Sequence, residues 1–208
     1  MKKIKLLITS LAVVFTINGA YALDSNLDFR LGVGYPYVVN MAALDAGINF
    51  DLGLDKYFAL SFETGFNWVN MKTYRGTGSF TNPASVTLSD AYSVPLLVNA
   101  KVRFDLRDSI GIMPYVMIGA GYGWTFHSSG AAIGSLHTDT YGGFTWQVVA
   151  GIAIKLGNDS NINLIFDLGY RGSVVYLYSA AATPTNALDM SSVSAHIGVS
   201  FPLSGKDN

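Results

Sequence analysis

The chain has 208 residues, of which 50% are hydrophobic and 13% are charged, and its formal net charge is −1. This length suits one domain, and a nearly neutral chain without a basic cluster argues against nucleic acid as a partner. Cysteine is absent, which excludes disulfides, thiolate metal sites and a lipidated cysteine anchor.

The start of the chain has the three parts of a secretory signal peptide. Three lysines within the first five residues precede an apolar run over residues 6–17, and Ala20-Tyr21-Ala22 fits a small-x-small cleavage site. A retained membrane anchor is the alternative, but this apolar run is too short to span a bilayer as a helix. We therefore predict that residues 1–22 are cleaved after export.

The remaining chain alternates apolar with small or polar residues, a period of two that is typical of β-strands. Several of the alternating stretches reach or exceed the 9–11 residues with which a tilted strand crosses a bilayer. The eight predicted strands cover residues 26–35, 42–54, 58–68, 92–105, 110–124, 144–156, 162–171 and 191–203.

The connections between these strands alternate in length. Those after the second, fourth and sixth strands are tight, at Asp55-Lys56, around Arg107 and over residues 157–160. Those after the third, fifth and seventh are long, over residues 70–90, 127–140 and 176–189. Short turns at one end and long loops at the other are typical of outer-membrane barrels. We predict an all-β fold, an eight-stranded antiparallel transmembrane up-and-down β-barrel formed by residues 23–208.

The apolar face of such a barrel can point outward to lipid or inward to a soluble core, as in a lipocalin. No charged residue occurs on the apolar face, and its aromatic residues concentrate near strand ends, as belts at membrane interfaces do. An eight-stranded barrel is also too narrow to enclose so many large apolar side chains. We therefore predict contact with lipid, with an interface belt near the long loops formed by Trp68, Tyr92, Trp124, Phe144, Trp146 and Tyr170.

Two stretches of the chain resemble known proteins. DAYSVPLLVNAKVRF (90–104) and PYVMIGAGYG (114–123) resemble the small outer-membrane β-barrel superfamily, which includes OmpX-like, OmpW-like and opacity-type proteins and the barrel domain of OmpA. The resemblance implies the outer membrane of a bacterial cell, with lipid and lipopolysaccharide as surroundings. It specifies an architecture rather than an activity.

The inward face collects charges towards the tight turns and glycines towards the long loops. Buried charges in a narrow lumen must pair or lose several kcal/mol of hydration free energy each. We therefore expect an ion-paired plug below a vestibule that opens outward; alternatively, Met113, Tyr115, Met117 and Gln147 fill the space beside the glycines. The predicted plug residues are Asp28, Arg30, Asp51, Glu63, Lys101, Arg103, Asp105, Lys155 and Asp167.

A structural or adhesive role through the outer loops fits this composition best. The loops carry Tyr74, Phe80, Tyr176 and Tyr178 among small polar residues, a mixture suited to adaptable contacts with host or extracellular ligands. The alternative is a narrow channel or transporter for small or hydrophobic solutes, as in OmpW-like proteins. An open general porin is not expected, because such barrels have about 16–18 strands.

Two strands contain proline, which cannot donate a ladder hydrogen bond. Bulges at Pro95 and Pro114 would open a lateral gap to lipid, whereas local kinks would leave the wall closed.

Catalysis is not expected, although some eight-stranded barrels modify lipid A with a serine, a histidine and an acid. His127, Ser129, His137 and Asp139 share one outer loop and are the candidates for such chemistry, or for weak metal binding. No cofactor or metal is predicted, and we expect a monomer. Contacts of Lys72 and Arg75 with lipopolysaccharide phosphates compete with an ordinary solvated loop.

Overall fold

A computed structural model describes residues 24–37, 41–74, 86–129, 137–157, 162–178 and 187–203, so the predicted signal peptide lies outside the described residues. Strands dominate this part of the chain, joined at one point by a four-residue helix. The elements are β1 (Ser25–Pro36), β2 (Ala43–Gly53), β3 (Phe58–Tyr74), β4 (Val86–Arg103), α1 (Arg107–Ile110), β5 (Ile112–Ser129), β6 (His137–Lys155), β7 (Asn163–Leu177), β8 (Ala187–Asp189) and β9 (Ser192–Pro202).

The strands form one closed antiparallel barrel. Each long strand pairs with its neighbours in sequence, and β9 pairs with both β7 and β1. The short β8 pairs with β7 in the register that β9 continues, since Val174 lies opposite Asp189 and Arg171 opposite Ser192. β8 and β9 are therefore one strand with a two-residue interruption. The predicted eight-stranded up-and-down β-barrel is confirmed.

The hydrogen-bond register sets the tilt of the strands. A path of direct strand partners that leaves β1 at Asn26 returns to β1 at Pro36, ten residues along. The path passes through Asp51, Ser61, Asn99, Gly119, Gln147, Arg171 and Ser192. This offset over eight strands corresponds to a tilt of roughly 40° and an interior that side chains can fill.

The ends of β2, β4 and β6 and both ends of the described chain lie at one end of the barrel, the turn end, and the ends of β3, β5 and β7 lie at the other, the loop end. Among the described residues no helix has the length and hydrophobicity that crossing a membrane requires.

The barrel is apolar outside and polar inside, the reverse of a soluble barrel. Outward positions such as Leu31, Ile118 and Leu168 are exposed, whereas the inward positions Asp51 and Asn99 are fully buried. Of the predicted belt residues, Trp68, Phe144 and Trp146 are exposed. Tyr92, Trp124 and Tyr170 are partly covered by neighbouring rings, those of Phe66, Tyr122 and Trp146 respectively.

Strands extend further at the loop end than the apolar pattern predicts. Residues expected to be loop belong to β3, β4, β5, β6 and β7, so the three long connections shorten to residues 75–85, 130–136 and 178–186. The sequence does not reveal these extensions because the regular alternation of apolar outward and polar inward residues stops at the aromatic belt. The predicted turn around Arg107 contains the short helix α1.

Neither proline produces a bulge. The β3–β4 ladder skips two positions beside Pro95, but Thr64 opposite Leu96 and Asn67 opposite Ser93 keep one register. The hydroxyl of Thr64 donates to the Pro95 carbonyl oxygen at 3.1 Å. The carbonyl of Pro114 accepts a hydrogen bond from the Phe104 amide at 2.9 Å. The described wall is therefore continuous at both positions, as local kinks would leave it.

Two inward glycines differ in the space beside them, which gives a matched test of the packing. A Cβ at Gly121 would lie 1.9 Å from the backbone oxygen of Leu96, whereas the nearest atom at Gly47 is the Thr64 oxygen at 3.7 Å. We expect Gly121→Ala to destabilise the barrel by about 1–3 kcal/mol, because backbone must move. Gly47→Ala should instead stabilise it by about 0.4–1 kcal/mol by restricting the unfolded chain. Urea unfolding of both variants in lipid vesicles measures the difference; equal effects would contradict this packing.

Candidate functional site

The lumen at the turn end is held by a bidentate ion pair. The guanidinium of Arg103, the last residue of β4, donates to the two carboxylate oxygens of Asp24 at 2.8 and 2.6 Å, and to the Asp55 carbonyl at 2.8 Å. Gly53 leaves room for this pair, since a Cβ there would lie 1.8 Å from Asp24 Oδ1. Arg103 thereby ties the start of β1 to the β2–β3 turn.

Next to this pair, Lys101 is shared by two carboxylates. Its Nζ lies 2.5 Å from Asp51 Oδ2 and 3.6 Å from Asp28 Oδ2. The same ammonium group lies 4.3 Å from the centre of the Tyr115 ring. Asn49 donates to Asp51 Oδ1 at 2.9 Å, which fixes that carboxylate from the neighbouring position on β2. All these side chains are buried.

Glu63 is the centre of the network. One of its oxygens accepts hydrogen bonds from Gln147 at 2.6 Å, Arg30 at 3.3 Å and Asn99 at 3.4 Å. The other accepts from Arg171 at 2.9 Å. These donors come from four strands, so a single carboxylate connects both sides of the lumen.

A second carboxylate, Asp167, extends the network towards β9. It accepts hydrogen bonds from Tyr115 at 3.2 Å and from Arg30 at 3.4 Å. Its other oxygen lies 2.7 Å from Nδ1 of His196, whose Nε2 lies 3.4 Å from Asp45. Both ring nitrogens of the histidine therefore face a carboxylate, and β2, β7 and β9 are joined through one side chain.

Seven of the nine predicted plug residues lie in this network. Asp105 and Lys155 do not, because Asp105 lies beyond the end of β4 and Lys155 is at the very end of β6, outside the enclosed lumen. Asp105 is exposed and accepts a hydrogen bond from Arg107 Nε at 2.8 Å. That bond holds the pKa of Asp105 below its usual value. Lys155 is the exposed last residue of β6. The residues in the network are Asp28, Arg30, Asp51, Glu63, Lys101, Arg103 and Asp167.

Sequence reasoning missed several members of the network. Asp45, Arg171 and Gln147 were omitted from the predicted plug, although their inward positions in the alternating pattern would have been sufficient to include them. Asp24 precedes the first alternating residue, so its pairing with Arg103 follows only from the closed fold.

The lumen beside Gly151 is filled rather than open. An apolar cluster of Tyr115, Met117, Val149 and Ile165 is buried in the turn-end half of the lumen. The Tyr115 ring lies against Gly151, where a Cβ would be 2.5 Å from the ring. Tyr115 and Met117, two of the residues that the alternative names as space-filling, therefore occupy the lumen at the turn end. The vestibule is predicted at the other end of the lumen, towards the long loops.

The loop end of the lumen has two layers of a different kind. In the first, hydroxyl groups bond to one another: Thr125 donates to Ser93 at 3.3 Å, and Thr145 and Ser173 lie 2.9 Å apart. Above them lies an apolar cap, in which every side chain is at most 4% exposed. The apolar cap consists of Ala43, Val69, Ala91, Val175 and Met190, with Met41, Tyr141 and Leu188 packed against it.

The candidate residues for catalysis lie on the extension of the β5–β6 hairpin. His127 is the strand partner of Asp139, and Ser129 is the partner of His137. Within the described ranges no group of three or more His, Cys, Asp or Glu residues is arranged to hold a metal ion.

The residues proposed for surface contacts are divided between described and undescribed parts of the chain. Lys72 and Tyr74 belong to β3, and Tyr176 and Tyr178 are exposed. Arg75 and Phe80 lie outside the described residues.

Solved outer-membrane barrels share this fold. A major outer membrane protein from Thermus thermophilus is 8% identical, with 86% of this chain and 99% of that chain covered and a TM-score of 0.56. OprG from Pseudomonas aeruginosa is 9% identical, with coverages of 89% and 98% and a TM-score of 0.52. Ail from Yersinia pestis is 9% identical, with coverages of 86% and 97% and a TM-score of 0.48. No family model and no curated protein sequence matches the chain. The chain has the fold of the small eight-stranded outer-membrane barrels.

Proposed function

We propose that this protein is an outer-membrane barrel that presents its loop end to extracellular partners while ion pairs keep its lumen closed. The observation that carries the proposal is the continuation of four strands past the aromatic belt. We assign no catalytic step to the protein.

The exterior supports a location in the membrane. A continuous apolar surface in contact with water would favour aggregation, whereas lipid contact removes that cost. In this proposal the predicted signal peptide directs export, and the barrel lies in a membrane whose outer leaflet contains lipopolysaccharide. The polar face is enclosed in the lumen, where its charges find partners.

Strands β3 to β6 extend five to seven residues beyond the belt positions Trp68, Tyr92, Trp124 and Phe144. At about 3.3 Å per residue, this places a sheet some 15 Å above the lipid interface for tilted strands. Within the described chain, residues 70–74 of β3 pair only with β4. A rigid sheet that stands above the membrane is a suitable support for binding loops.

Aromatic residues at this end suit contact with a partner. Phe126, Tyr176 and Tyr178 are exposed at or beyond the belt. The hydroxyl groups of Tyr122 and Tyr178 lie 3.1 Å apart and connect β5 to the end of β7. Amphipathic rings with few torsions bind proteins and glycans at low entropic cost. Host or matrix surfaces are the partners that we propose.

The lumen network weighs against the channel alternative. Arg30, Lys101, Glu63 and Asp167 are buried, and each contacts a group of opposite charge. An ion on its way through would have to break these pairs. We therefore expect the refolded barrel to show no ion conductance in planar bilayers. Reproducible conductance steps would instead support the narrow-channel alternative.

Exchanging the loops tests the proposal directly. Tyr74 and Val86 are strand partners, as are Ser129 and His137, so two-residue Asn-Gly turns can replace residues 75–85 and 130–136. We expect cells that display this variant to lose attachment to host cells or matrix by at least about tenfold, as for loss of a binding hot spot. The control replaces α1 by the same turn at the opposite end. Unchanged attachment after both loop exchanges would contradict the proposal.

A further inference from the structure

The two ends of the lumen differ in what they offer to water. The apolar cap at the loop end takes one side chain from each of β2, β3, β4 and β7, and Met190 from the interruption before β9. Val69, Ala91 and Val175 have no measurable exposure. A water molecule needs two to four polar partners, and these side chains offer none.

The hydroxyl groups in the layer beneath the apolar cap bond to one another rather than to water. Thr145 and Ser173 bond to each other, and Thr125 bonds to Ser93. The backbone amide of Ser173 donates to the hydroxyl of Ser191 at 3.1 Å. These hydroxyl groups are paired within the protein. Among the described residues, the buried polar atom at this level without a hydrogen-bond partner is Asn67 Oδ1, from the residue opposite Ser93.

The opposite half has unmet hydrogen-bonding capacity. Asp28 Oδ1, Asn163 Oδ1 and Arg103 Nε are buried near the turn end and have no hydrogen-bond partner among the described residues. Arg30 Nε at the centre and Asn67 Oδ1 above it also have no hydrogen-bond partner among the described residues. Buried polar atoms of this kind are normally satisfied by ordered water, and three of the five lie where the turn end would supply it.

We propose that the apolar cap is a permeability seal: it excludes water and ions at the loop end, so that the lumen exchanges solvent only with the turn end. A hydrophobic constriction blocks ions because a dry segment cannot hydrate them. This closure is separate from the ion pairs around Glu63, which lie deeper in the barrel. Solvent therefore reaches the interior of the barrel only from the turn end, which faces the periplasm.

The absence of cysteine makes this testable by thiol labelling. Ser173→Cys places a single thiol directly beneath the apolar cap, and a membrane-impermeant charged maleimide is added from the loop side of oriented vesicles. Tyr178→Cys, above the apolar cap, reports full access, and Ser109→Cys, in α1, reports leakage to the turn end. We expect Ser173→Cys to react about a hundredfold more slowly than Tyr178→Cys, as for a group reached only by local opening.

A second variant asks whether the apolar cap itself gives this protection. Val69→Thr combined with Val175→Thr adds two hydroxyls at nearly constant shape, and we expect it to raise the labelling rate of Ser173→Cys by about tenfold. Val33→Thr makes the same change on the outer face, where Val33 is exposed, and should leave the rate unchanged.

Three results would overturn the seal. Ser173→Cys could react as fast as Tyr178→Cys in the otherwise native chain, which would mean an open loop end. If Ser173→Cys is still labelled slowly when Val69→Thr and Val175→Thr are combined, the barrier lies in another layer of the lumen. A rate that Val33→Thr raises equally would reflect general destabilisation. The seal belongs to the closed lumen proposed above, and the two fail differently. Loop-side labelling without conductance means that the apolar cap is open while the ion pairs still close the lumen, whereas conductance means that both barriers are open.

Discussion

Glu63→Gln is expected to destabilise the folded barrel by about 3–5 kcal/mol, the usual cost of removing one partner from a buried charge network. The substitution keeps the shape of the side chain but removes the charge that Arg30 and Arg171 share. It also places an amide donor where Gln147 now donates, at 2.6 Å from the carboxylate. The two guanidinium groups would stay buried with weaker compensation.

Urea titration in lipid vesicles, followed by gel mobility and tryptophan fluorescence, measures this loss. Asp105→Asn is the matched control, because it removes an exposed carboxylate that pairs with Arg107 outside the network. Exposed ion pairs contribute about 0–1 kcal/mol. If Glu63→Gln costs no more than this control, the central carboxylate is hydrated and the ion pairs do not close the lumen.

Leu168→Arg is expected to destabilise the inserted barrel by about 2–4 kcal/mol, the range for arginine on the lipid face at the bilayer midplane. Leu168 lies on the outer surface in the middle of β7, opposite Ala150 and Ala195, and is 67% exposed. The guanidinium group would therefore enter hydrocarbon with no partner on the neighbouring strands.

Ile110→Arg separates the effect of lipid from the effect of exposure. Ile110 is 63% exposed but lies in α1 at the turn end. Near an interface the cost of arginine falls to about 0–1 kcal/mol. In a barrel surrounded by water both substitutions would be harmless, so equal and small effects on insertion and unfolding in vesicles would contradict lipid contact.

The architecture was predictable because two simple constraints act along the whole chain. A bilayer requires long strands, and the difference between lipid outside and polar groups inside imposes the period of two. Both constraints end at the belt formed by residues such as Trp68 and Phe144. The strand extensions to Tyr74 and from His137 are established by backbone pairing, because beyond the belt the outward face no longer has to be apolar.

The candidate site was predictable in part for a related reason. Alternation identifies Glu63 and Arg30 as inward, but their contact also depends on register and height, since β2 lies between their strands. Arg171 reaches Glu63 across the lumen, a relation that no sequence spacing encodes. The apolar cap was missed because small residues such as Ala43 and Ala91 resemble ordinary filler in the pattern.

The pairing of β1 with β9 governs when the wall can form. Leu27 lies opposite Phe201, so the first and last strands to be synthesised share one ladder. Contacts this distant in sequence make folding slow. Until β9 arrives, one edge of β1 presents unpaired backbone groups that hydrocarbon cannot satisfy. Insertion and closure are thus expected to be one coupled event, and a chain shortened by its last strand should fail to assemble rather than form a seven-stranded barrel.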